Sequence, residues 1–287
     1  MAEVWSARDR VTGIEVAVKL AQPWAAADPD LLERFEREGK LLRRLQSPFI
    51  CALVEAGRTA DKVPYLALER LVGETLEELL EREGWLSMEE VSKIADEMLQ
   101  ALAVAHAAGV VHRDLSPSNV FLHRAPDGRL LTKVLDFGIA KYKTGAGPNT
   151  AKKTTMGSLP FVAPEQLGDS ARAGPRADLY AVGAIVFTAL TGRLPFGDAR
   201  DMALVVLKRE HEPPTIDEAT GERWPAALKA FLSKSMARLP SHRYASAEEA
   251  VVALREALRG HGPVLEIPDK PLDATTTMDD SDGGGRY

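Results

Sequence analysis

The stretch that decides the fold of this chain is residues 109–119, which read GVVHRDLSPSN. A long apolar pattern precedes it, in which Ser87 and Glu90 form a capping-box signature, and Gly109 ends the predicted helix. Further along, residues 134–138 read VLDFG, a short apolar strand followed by a carboxylate and a turn glycine. The order predicts two polar turns that expose carboxylate and amide oxygens.

These oxygens suit the transfer of a phosphoryl group, which needs positioning and charge neutralisation more than covalent chemistry. Asp114 is placed to orient or deprotonate an acceptor hydroxyl. Asn119 is placed to direct its amide oxygen at a metal ion, and Asp136 supplies a second oxygen ligand. Taken singly, either aspartate is more typical of a turn or a helix cap.

Periodicity in the first part of the chain predicts a sheet with one helix. Alternating β-branched residues and apolar runs predict strands over residues 2–9, 14–20, 49–56 and 63–69, with a turn at Thr12-Gly13. Helical spacing of apolar residues predicts a helix from Asp28 to about Leu45. From Thr75 onward the pattern predicts a mainly helical chain.

This order predicts an α+β fold with two lobes: a small antiparallel-sheet lobe over residues 1–70 and a larger, mainly helical lobe over residues 71–259. Residues 260–287 contain three prolines, a run of threonines and three consecutive glycines. Because they lack any packing periodicity, they predict a disordered acidic tail.

Composition narrows the function classes. The 287 residues carry a net charge of −6, which argues against nucleic acid as a partner. The single cysteine, Cys51, allows no internal disulfide and lies in an apolar stretch typical of a buried thiol. No apolar run is long enough for a membrane helix, and no signal peptide is recognisable, so the sequence predicts a cytoplasmic protein.

The motifs HRD at 112–114, Asn119, DFG at 136–138 and APE at 163–165, in this order, resemble the eukaryotic-like (Hanks-type) serine/threonine protein kinases, especially the bacterial members. The resemblance runs from residue 1 to about residue 258. It implies a two-lobed protein-kinase-like fold, ATP as phosphoryl donor, magnesium or alternatively manganese, and serine or threonine hydroxyls of proteins as acceptors.

The resemblance also assigns residues to the nucleotide site. Lys19, in the segment VAVK, matches the lysine that grips the phosphates, and Glu38 matches its partner on the helix. Alone, these two would be a solvated strand lysine and an exposed helix charge. The positions that match the adenine pocket are Val4 and Ala17 in its roof, Phe121 in its floor, Leu68 as gatekeeper, and Glu69 to Leu71 as hinge.

Other matched positions are structural or regulatory. His112 matches a packed histidine in an apolar column with Leu42, Leu53 and Phe137. Asp178 matches a buried anchor of the catalytic loop. Glu165 is expected to pair with Arg243, and Ser158 is expected to support the acceptor beside Asp114.

Arg113 precedes the catalytic aspartate, and a buried arginine requires a counter-charge. Phosphate on Thr154 or Thr155 would supply it and order the activation segment. Autophosphorylation of that segment is therefore expected. The alternative is that both threonines are ordinary loop residues.

The sequence departs from the family pattern in two places. Position 116 holds serine where the family usually has a lysine that contacts the transferred phosphate. The glycine-rich loop and the first strand are missing, because Val4 already matches the valine that closes that loop. We expect Met1 to be internal to a longer natural protein; the alternative is a truncated, impaired kinase.

Three functions stay open on the sequence alone. The first is a protein serine/threonine kinase, and the second is a pseudokinase that acts as a binding or scaffold module. The third, a small-molecule kinase of the antibiotic-phosphorylating type, should lack the segment that ends at Glu165. Any sensing function would come from a regulatory partner chain.

Overall fold

The strands in the first part of the chain form a four-stranded antiparallel sheet. The computed structural model describes residues 2–22, 28–137, 158–169 and 173–258. The strands of this sheet are β1 (Ala2–Arg8), β2 (Glu15–Ala21), β3 (Leu53–Arg58) and β4 (Pro64–Glu69). Their order across the sheet is β1-β2-β4-β3. The predictions for Gly138, Thr154, Thr155 and the tail lie outside the described residues.

The predicted turn between the first two strands is confirmed. The Asp9 carboxylate accepts hydrogen bonds from the Val11 backbone N–H and the Thr12 hydroxyl, each at 2.8 Å. Gly13 has a φ of 72°, a left-handed conformation that glycine adopts at little cost. This local hydrogen bonding sets the register in which Val4 lies opposite Lys19.

The strand predicted over residues 49–56 begins later than expected, because residues 49–52 are not part of it. The observed strand β3 begins only at Leu53 and continues to Arg58. Before it, the Phe49 carbonyl accepts a hydrogen bond from the Val134 N–H at 2.8 Å, and the Cys51 N–H donates to the Val134 carbonyl at 3.2 Å. These apolar residues are therefore paired with a strand of the second lobe, which a local pattern does not reveal.

Helix α1 (Pro29–Leu42) lies between β2 and β3 and ends earlier than predicted. Beyond Leu42 the N–H groups of Arg44 and Leu45 donate to carbonyls three residues back, which closes the helix with a tight turn. Leu45 is still buried, so its apolar character reflects the core and not a continuing helix.

The second lobe contains a small sheet that the sequence analysis did not predict in full. Its strands, in the order β5-β6-β7, are β5 (Gly73–Thr75), β6 (Val120–Arg124) and β7 (Leu130–Val134). The apolar strand expected before Asp136 is β7. Strand β5 is too short to produce a recognisable alternation, since three residues give only one period and a half.

The remaining elements of the second lobe are helical, as predicted. The helices are α2 (Leu76–Glu83), α3 (Met88–Ala107), α4 (Gln166–Asp169), α5 (Pro175–Thr191), α6 (Asp201–Glu210), α7 (Ile216–Thr220), α8 (Ala226–Ser235) and α9 (Ala247–Leu258). The predicted capping box of α3 is confirmed: Ser87 and Glu90 bond reciprocally at the helix start. Across the described ranges, none of the helices has the length and apolarity needed to cross a bilayer.

Helix α5 forms the centre of this lobe and is apolar on nearly every side, as expected of a helix surrounded by protein. It carries one buried carboxylate, Asp178, which is 1% exposed. The two Asp178 oxygens accept hydrogen bonds from the backbone N–H groups of His112 and Arg113, each at 2.8 Å. His106 Nε2 lies 2.8 Å from the same carboxylate. The predicted anchoring of the loop by Asp178 is therefore confirmed.

An ion pair between Arg243 and Glu165 fixes the segment that leads into α5. Arg243 donates from both terminal nitrogens to the Glu165 carboxylate, at 2.7 and 2.8 Å. Its Nε also donates to the Ala237 carbonyl at 2.7 Å. This bidentate geometry confirms the expected Glu165–Arg243 pair and gives it directional specificity.

We expect Asp178→Asn to destabilise the protein by about 2–4 kcal/mol, because one oxygen that accepts a backbone N–H is replaced by an amide group that cannot accept. Urea unfolding followed by circular dichroism measures the change. Asp198→Asn is the matched control: its carboxylate is fully exposed, so a change below about 0.5 kcal/mol is expected. Equal stabilities of Asp178→Asn and the wild type would contradict this role for Asp178.

Candidate functional site

Lys19 is the point at which three separate elements meet. Its amine donates to the Glu38 carboxylate on α1 at 2.7 Å and to the Asp136 carboxylate, just beyond β7, at 2.8 Å. Burial alone would lower the pKa of Lys19, but the carboxylates of Glu38 and Asp136 outweigh it and hold the pKa above its ordinary value. The amine is therefore a permanent cation between the two lobes.

Gly39 lets α1 come close enough for this contact, and the sequence analysis did not single it out. A glycine inside a helix costs about 1 kcal/mol relative to alanine, so its presence there needs a reason. A Cβ at this position would lie 2.8 Å from a methyl carbon of Leu66 and 3.4 Å from the Cβ of Ala56. The bare backbone thus packs on the sheet directly beside Glu38.

The loop that carries Asp114 is fixed by its own histidine. The His112 Nδ1 accepts a hydrogen bond from the Asp114 N–H at 3.3 Å, so the ring proton is on Nε2, which donates to the Leu135 carbonyl at 2.8 Å. His112 is fully buried, and its ring centroid lies 4.9 Å from that of Phe137. The predicted packed histidine is therefore confirmed, and it also joins the Asp114 loop to the Asp136 turn.

Asn119 and Asp136 are brought together by the backbone. The Asn119 side-chain amide donates to the Asp114 carbonyl at 2.8 Å, which turns its amide oxygen away from that loop. The Leu135 N–H donates to the Asn119 carbonyl at 2.9 Å. Asp136 has a φ of 42°, a strained conformation for a residue with a side chain. Residue types alone do not indicate this backbone conformation at Asp136.

The donor set fits a magnesium ion. Asn119 and Asp136 offer oxygen atoms, the ligands that magnesium prefers, and magnesium usually takes only one or two protein side chains beside phosphate and water. Among the residues that the structure describes, no cluster of three or more His, Cys, Asp or Glu side chains is arranged to hold a metal. A small oxygen set of this kind is unsuited to a structural metal site with a closed protein shell.

Three residues predicted for the adenine pocket, Val4, Ala17 and Leu68, share one face of the four-stranded sheet with Lys19. Val4 is opposite Lys19, and Ala17 is opposite Leu68, so all four side chains project from the same side. Val4 is 66% exposed, which leaves its side chain accessible from the cleft side of β1. Their role in binding adenine stays a prediction.

The predicted hinge contains a buried inter-lobe ion pair that the sequence analysis missed. The Lys133 amine on β7 donates to the Glu69 carboxylate at 2.6 Å, and the same carboxylate accepts the Ala52 N–H at 2.8 Å. Phe121 is opposite Lys133, so the predicted pocket floor faces this pair. Leu71 lies two residues after Glu69, the last residue of β4.

Cys51 lies next to this ion pair and is buried. Burial raises the pKa of the Cys51 thiol to about 12, and the neighbouring Glu69 carboxylate acts in the same direction. A thiol with a raised pKa and little exposure is unreactive. The structure thus agrees with the core thiol that the apolar stretch predicted.

Position 116 holds a small buried side chain in place of a cation. Ser116 is 3% exposed, and its hydroxyl lies 2.9 Å from the hydroxyl of Ser118. One hydroxyl donates to the other, and a serine side chain is uncharged, so Ser116 supplies no cation to the site. The serine that stands where the family usually has a lysine is therefore part of a local hydroxyl pair with Ser118.

The segment after Ser158 is tied to the same loop by a residue that sequence reasoning missed. The Gln166 side-chain amide donates to the Arg113 carbonyl at 2.9 Å and accepts the Ala163 N–H at 3.0 Å. Arg113 has a φ of 63°, so the loop reaches Asp114 through a left-handed residue. The hypothesis of a phosphate near Arg113 lies outside the described residues, because it concerns Thr154 and Thr155.

The expected apolar column is buried or half-buried as a group. Leu42 and Phe137 belong to the main hydrophobic core, and Leu53 packs against it. His112 contacts Phe137 as described above. The four residues come from α1, the start of β3, the loop before β6 and the segment after β7, so their packing requires both lobes.

Comparison with known proteins places this geometry in a family. The family model described as protein kinase domain matches residues 1–253. PknA, a serine/threonine-protein kinase of Mycobacterium tuberculosis, is 34% identical over 277 residues, which cover 93% of this chain and 62% of PknA. A probable serine/threonine-protein kinase of Streptomyces coelicolor, SCO3848, is 34% identical over 289 residues, which cover 99% of this chain and 41% of that protein. The chain therefore spans less than two thirds of the length of these relatives.

Solved structures agree on the fold. The kinase domain of Mycobacterium tuberculosis PknI is 27% identical, with a TM-score of 0.66 and coverage of 90% of this chain and 91% of that one. Rad53 in complex with AMP-PNP has a TM-score of 0.67 at 23% identity, covers 87% of this chain and 60% of that one, and shows the fold alone. The predicted two-lobed α+β fold and the resemblance to bacterial serine/threonine kinases are confirmed. With residues 1–253 matched, the chain belongs to the protein kinase domain family.

Proposed function

We propose that this chain transfers the terminal phosphoryl group of ATP to serine or threonine hydroxyls of proteins. The observation that carries the proposal is the Lys19 amine held between Glu38 at 2.7 Å and Asp136 at 2.8 Å. A buried cation aligned by two carboxylates, one of them at a strained turn, is suited to a polyphosphate and costly to keep for stability alone.

In the proposed reaction the roles follow the positions of the side chains. Asp114 orients the acceptor hydroxyl and receives its proton, the acceptor oxygen bonds to the terminal phosphorus, and ADP leaves. Lys19 binds the phosphates that remain on the nucleotide. Val4, Ala17, Leu68 and Phe121 enclose the adenine, and the backbone from Glu69 to Leu71 meets its edge.

Asn119 and Asp136 are the residues that would hold magnesium, or manganese in its place. The ion, when bound, neutralises phosphate charge. The contribution of this chain is to fix the two oxygen donors: Asn119 by its bond to the Asp114 carbonyl, and Asp136 by the Leu135 N–H bond one residue earlier.

A pseudokinase is the second candidate, and the closed Ser116–Ser118 pair is the observation that favours it. A cation that would stabilise negative charge in the transition state is absent at position 116. Against it, Lys19, Glu38 and Asp136 are held in mutual contact by three separate elements. We therefore place the enzyme first.

The direct test is the intact mass of the chain after incubation with magnesium and ATP. We expect mass gains of one or more phosphates, because the activation segment contains Thr154 and Thr155. Lys19→Met should abolish the gain, and Asp114→Asn should slow it by about 10²- to 10⁴-fold. Loss of the gain in a Thr154→Ala/Thr155→Ala variant would locate the modification.

The same samples separate the two candidate functions. If no phosphate is gained, a thermal shift with magnesium and ATP shows whether the nucleotide binds, since a ligand of the folded form raises stability by about 2.7 kcal/mol at a hundredfold excess over Kd. A shift that Lys19→Met removes, without phosphate gain, means a nucleotide-binding pseudokinase. No shift at all contradicts the proposed site.

We also expect Ser116→Lys to raise kcat by about tenfold, because it adds a cation where charge develops on the transferred group. Steady-state phosphorylation of a peptide measures the change. Ser116→Ala is the matched control: it removes the hydroxyl without adding charge and should leave kcat within about twofold. A lower kcat for Ser116→Lys than for Ser116→Ala would contradict the expected electrostatic gain.

A further inference from the structure

Lys208, on α6, is a fully buried lysine outside the site described above. Its amine donates to the Pro160 carbonyl at 2.6 Å and to the Val162 carbonyl at 2.7 Å. It also lies 5.0 Å from the centroid of the Tyr180 ring. The described hydrogen-bond partners of this amine are thus two backbone oxygens of one short segment.

Burying a lysine without a carboxylate in contact is unfavourable, so the position calls for an explanation. Burial lowers the pKa of Lys208 to about 7, and the nearby Arg243 acts in the same direction while Glu165 opposes it. A methionine or leucine would fill the same volume at lower cost. What a lysine adds is the ability to donate two hydrogen bonds from the tip of a long chain.

The two carbonyls belong to the turn that borders the Asp114 loop. Residues Leu159–Phe161 form a single 3₁₀ turn directly after Ser158. On its other side, Gln166 joins the Ala163 N–H to the Arg113 carbonyl, one residue before Asp114. The turn is therefore held from two directions, by Gln166 against the catalytic loop and by Lys208 against α6.

Gln166 joins this turn to the Arg113 carbonyl next to Asp114, so under the proposed function a polypeptide that presents a hydroxyl to Asp114 would bind beside the turn. The turn also has few bonds of its own: within it, the Phe161 N–H donates to the Ser158 carbonyl at 3.0 Å, and the Val162 N–H donates to the Leu159 carbonyl at a long 3.3 Å. Carbonyls left without a partner in a short loop would allow several conformations. The Lys208 amine removes this freedom at Pro160, in the middle of the turn, and at Val162, directly after it.

We propose that Lys208 is a positioning residue for the protein substrate, because it fixes the turn 158–162 against which the residues next to the acceptor hydroxyl bind. The proposal rests on the proposed kinase function and deepens it. Lys208 acts through the turn, so it contacts neither the nucleotide nor the acceptor. Its loss should weaken binding of the peptide substrate and leave binding of ATP unchanged.

The residues packed around the Lys208 amine also contact the segment that it holds. The Arg243 guanidinium also lies 5.0 Å from the Tyr180 ring centroid, and Arg243 carries the bidentate pair to Glu165 at the end of the same segment. Tyr180 is fully buried on α5. Thus Lys208 and Arg243 reach the segment 158–165 from opposite ends across a single aromatic ring.

The test uses the full chain with Lys208→Met, which keeps the length and apolar volume of the side chain and removes its donors. Two readouts are measured: amide hydrogen exchange by mass spectrometry over residues 158–165, and KM for a peptide substrate and for ATP. We expect about tenfold faster exchange in that segment and about tenfold higher peptide KM, with ATP KM unchanged. Arg209→Met, a neighbouring exposed cation on α6, is the matched control and should match the wild type.

Wild-type exchange and wild-type peptide KM in Lys208→Met would overturn the proposal. So would faster exchange spread over the whole helical lobe, which would indicate a role in general stability only. If Lys208→Met does not fold, Lys208→Gln takes its place, since its amide is too short to reach both carbonyls; local loss of protection supports the proposal, and wild-type protection contradicts it.

The exchange measurement keeps this test separate from the proposed function. If the wild type transfers no phosphate, the kinase proposal fails by the mass assay, and peptide affinity is then measured directly by fluorescence anisotropy of a labelled serine peptide. Weaker peptide binding in Lys208→Met together with local loss of protection supports the positioning role. Equal peptide binding in both proteins overturns it.

Discussion

The buried carboxylate of Asp178 is the interaction on which the rest of the site depends. It accepts the N–H groups of His112 and Arg113, and so it holds a loop whose backbone passes through a left-handed residue. Without an acceptor there, two buried N–H groups would be unsatisfied, at a cost of about 1–3 kcal/mol each. The position of Asp114 is therefore set from the core of the second lobe, by a helix that contributes no catalytic group.

The join between the lobes depends on a different set of contacts, and these are mainly backbone contacts. Phe49 and Cys51 pair with Val134, and the Glu69–Lys133 ion pair closes the same side. Lys19, in contrast, meets Asp136 only through side chains. Backbone pairing therefore joins the lobes at Phe49 and Cys51, whereas at Lys19 they are joined through side chains.

The order of residue types predicted the Asp114 loop, and the resemblance to the kinase family predicted the Lys19–Glu38 pair, the Glu165–Arg243 pair and the anchor Asp178. Neither predicted Lys133, Gln166 or Lys208. Each of these makes its contact across more than forty residues, and each would be an ordinary surface residue on its own helix or strand. Their roles arise from tertiary placement, which local periodicity does not encode.

The charges of the proposed site bear on the metal that the proposed function includes. The proposed groups are the carboxylates Glu38, Asp114 and Asp136 and the single amine of Lys19. Glu38 neutralises Lys19 through its contact at 2.7 Å, so the remaining carboxylates leave the site negative. A nucleotide triphosphate is itself strongly negative, and Ser116 provides no compensating cation. A site with these charges would bind the nucleotide more tightly together with a divalent ion than without it, because the ion offsets part of the phosphate charge beside Asp114 and Asp136.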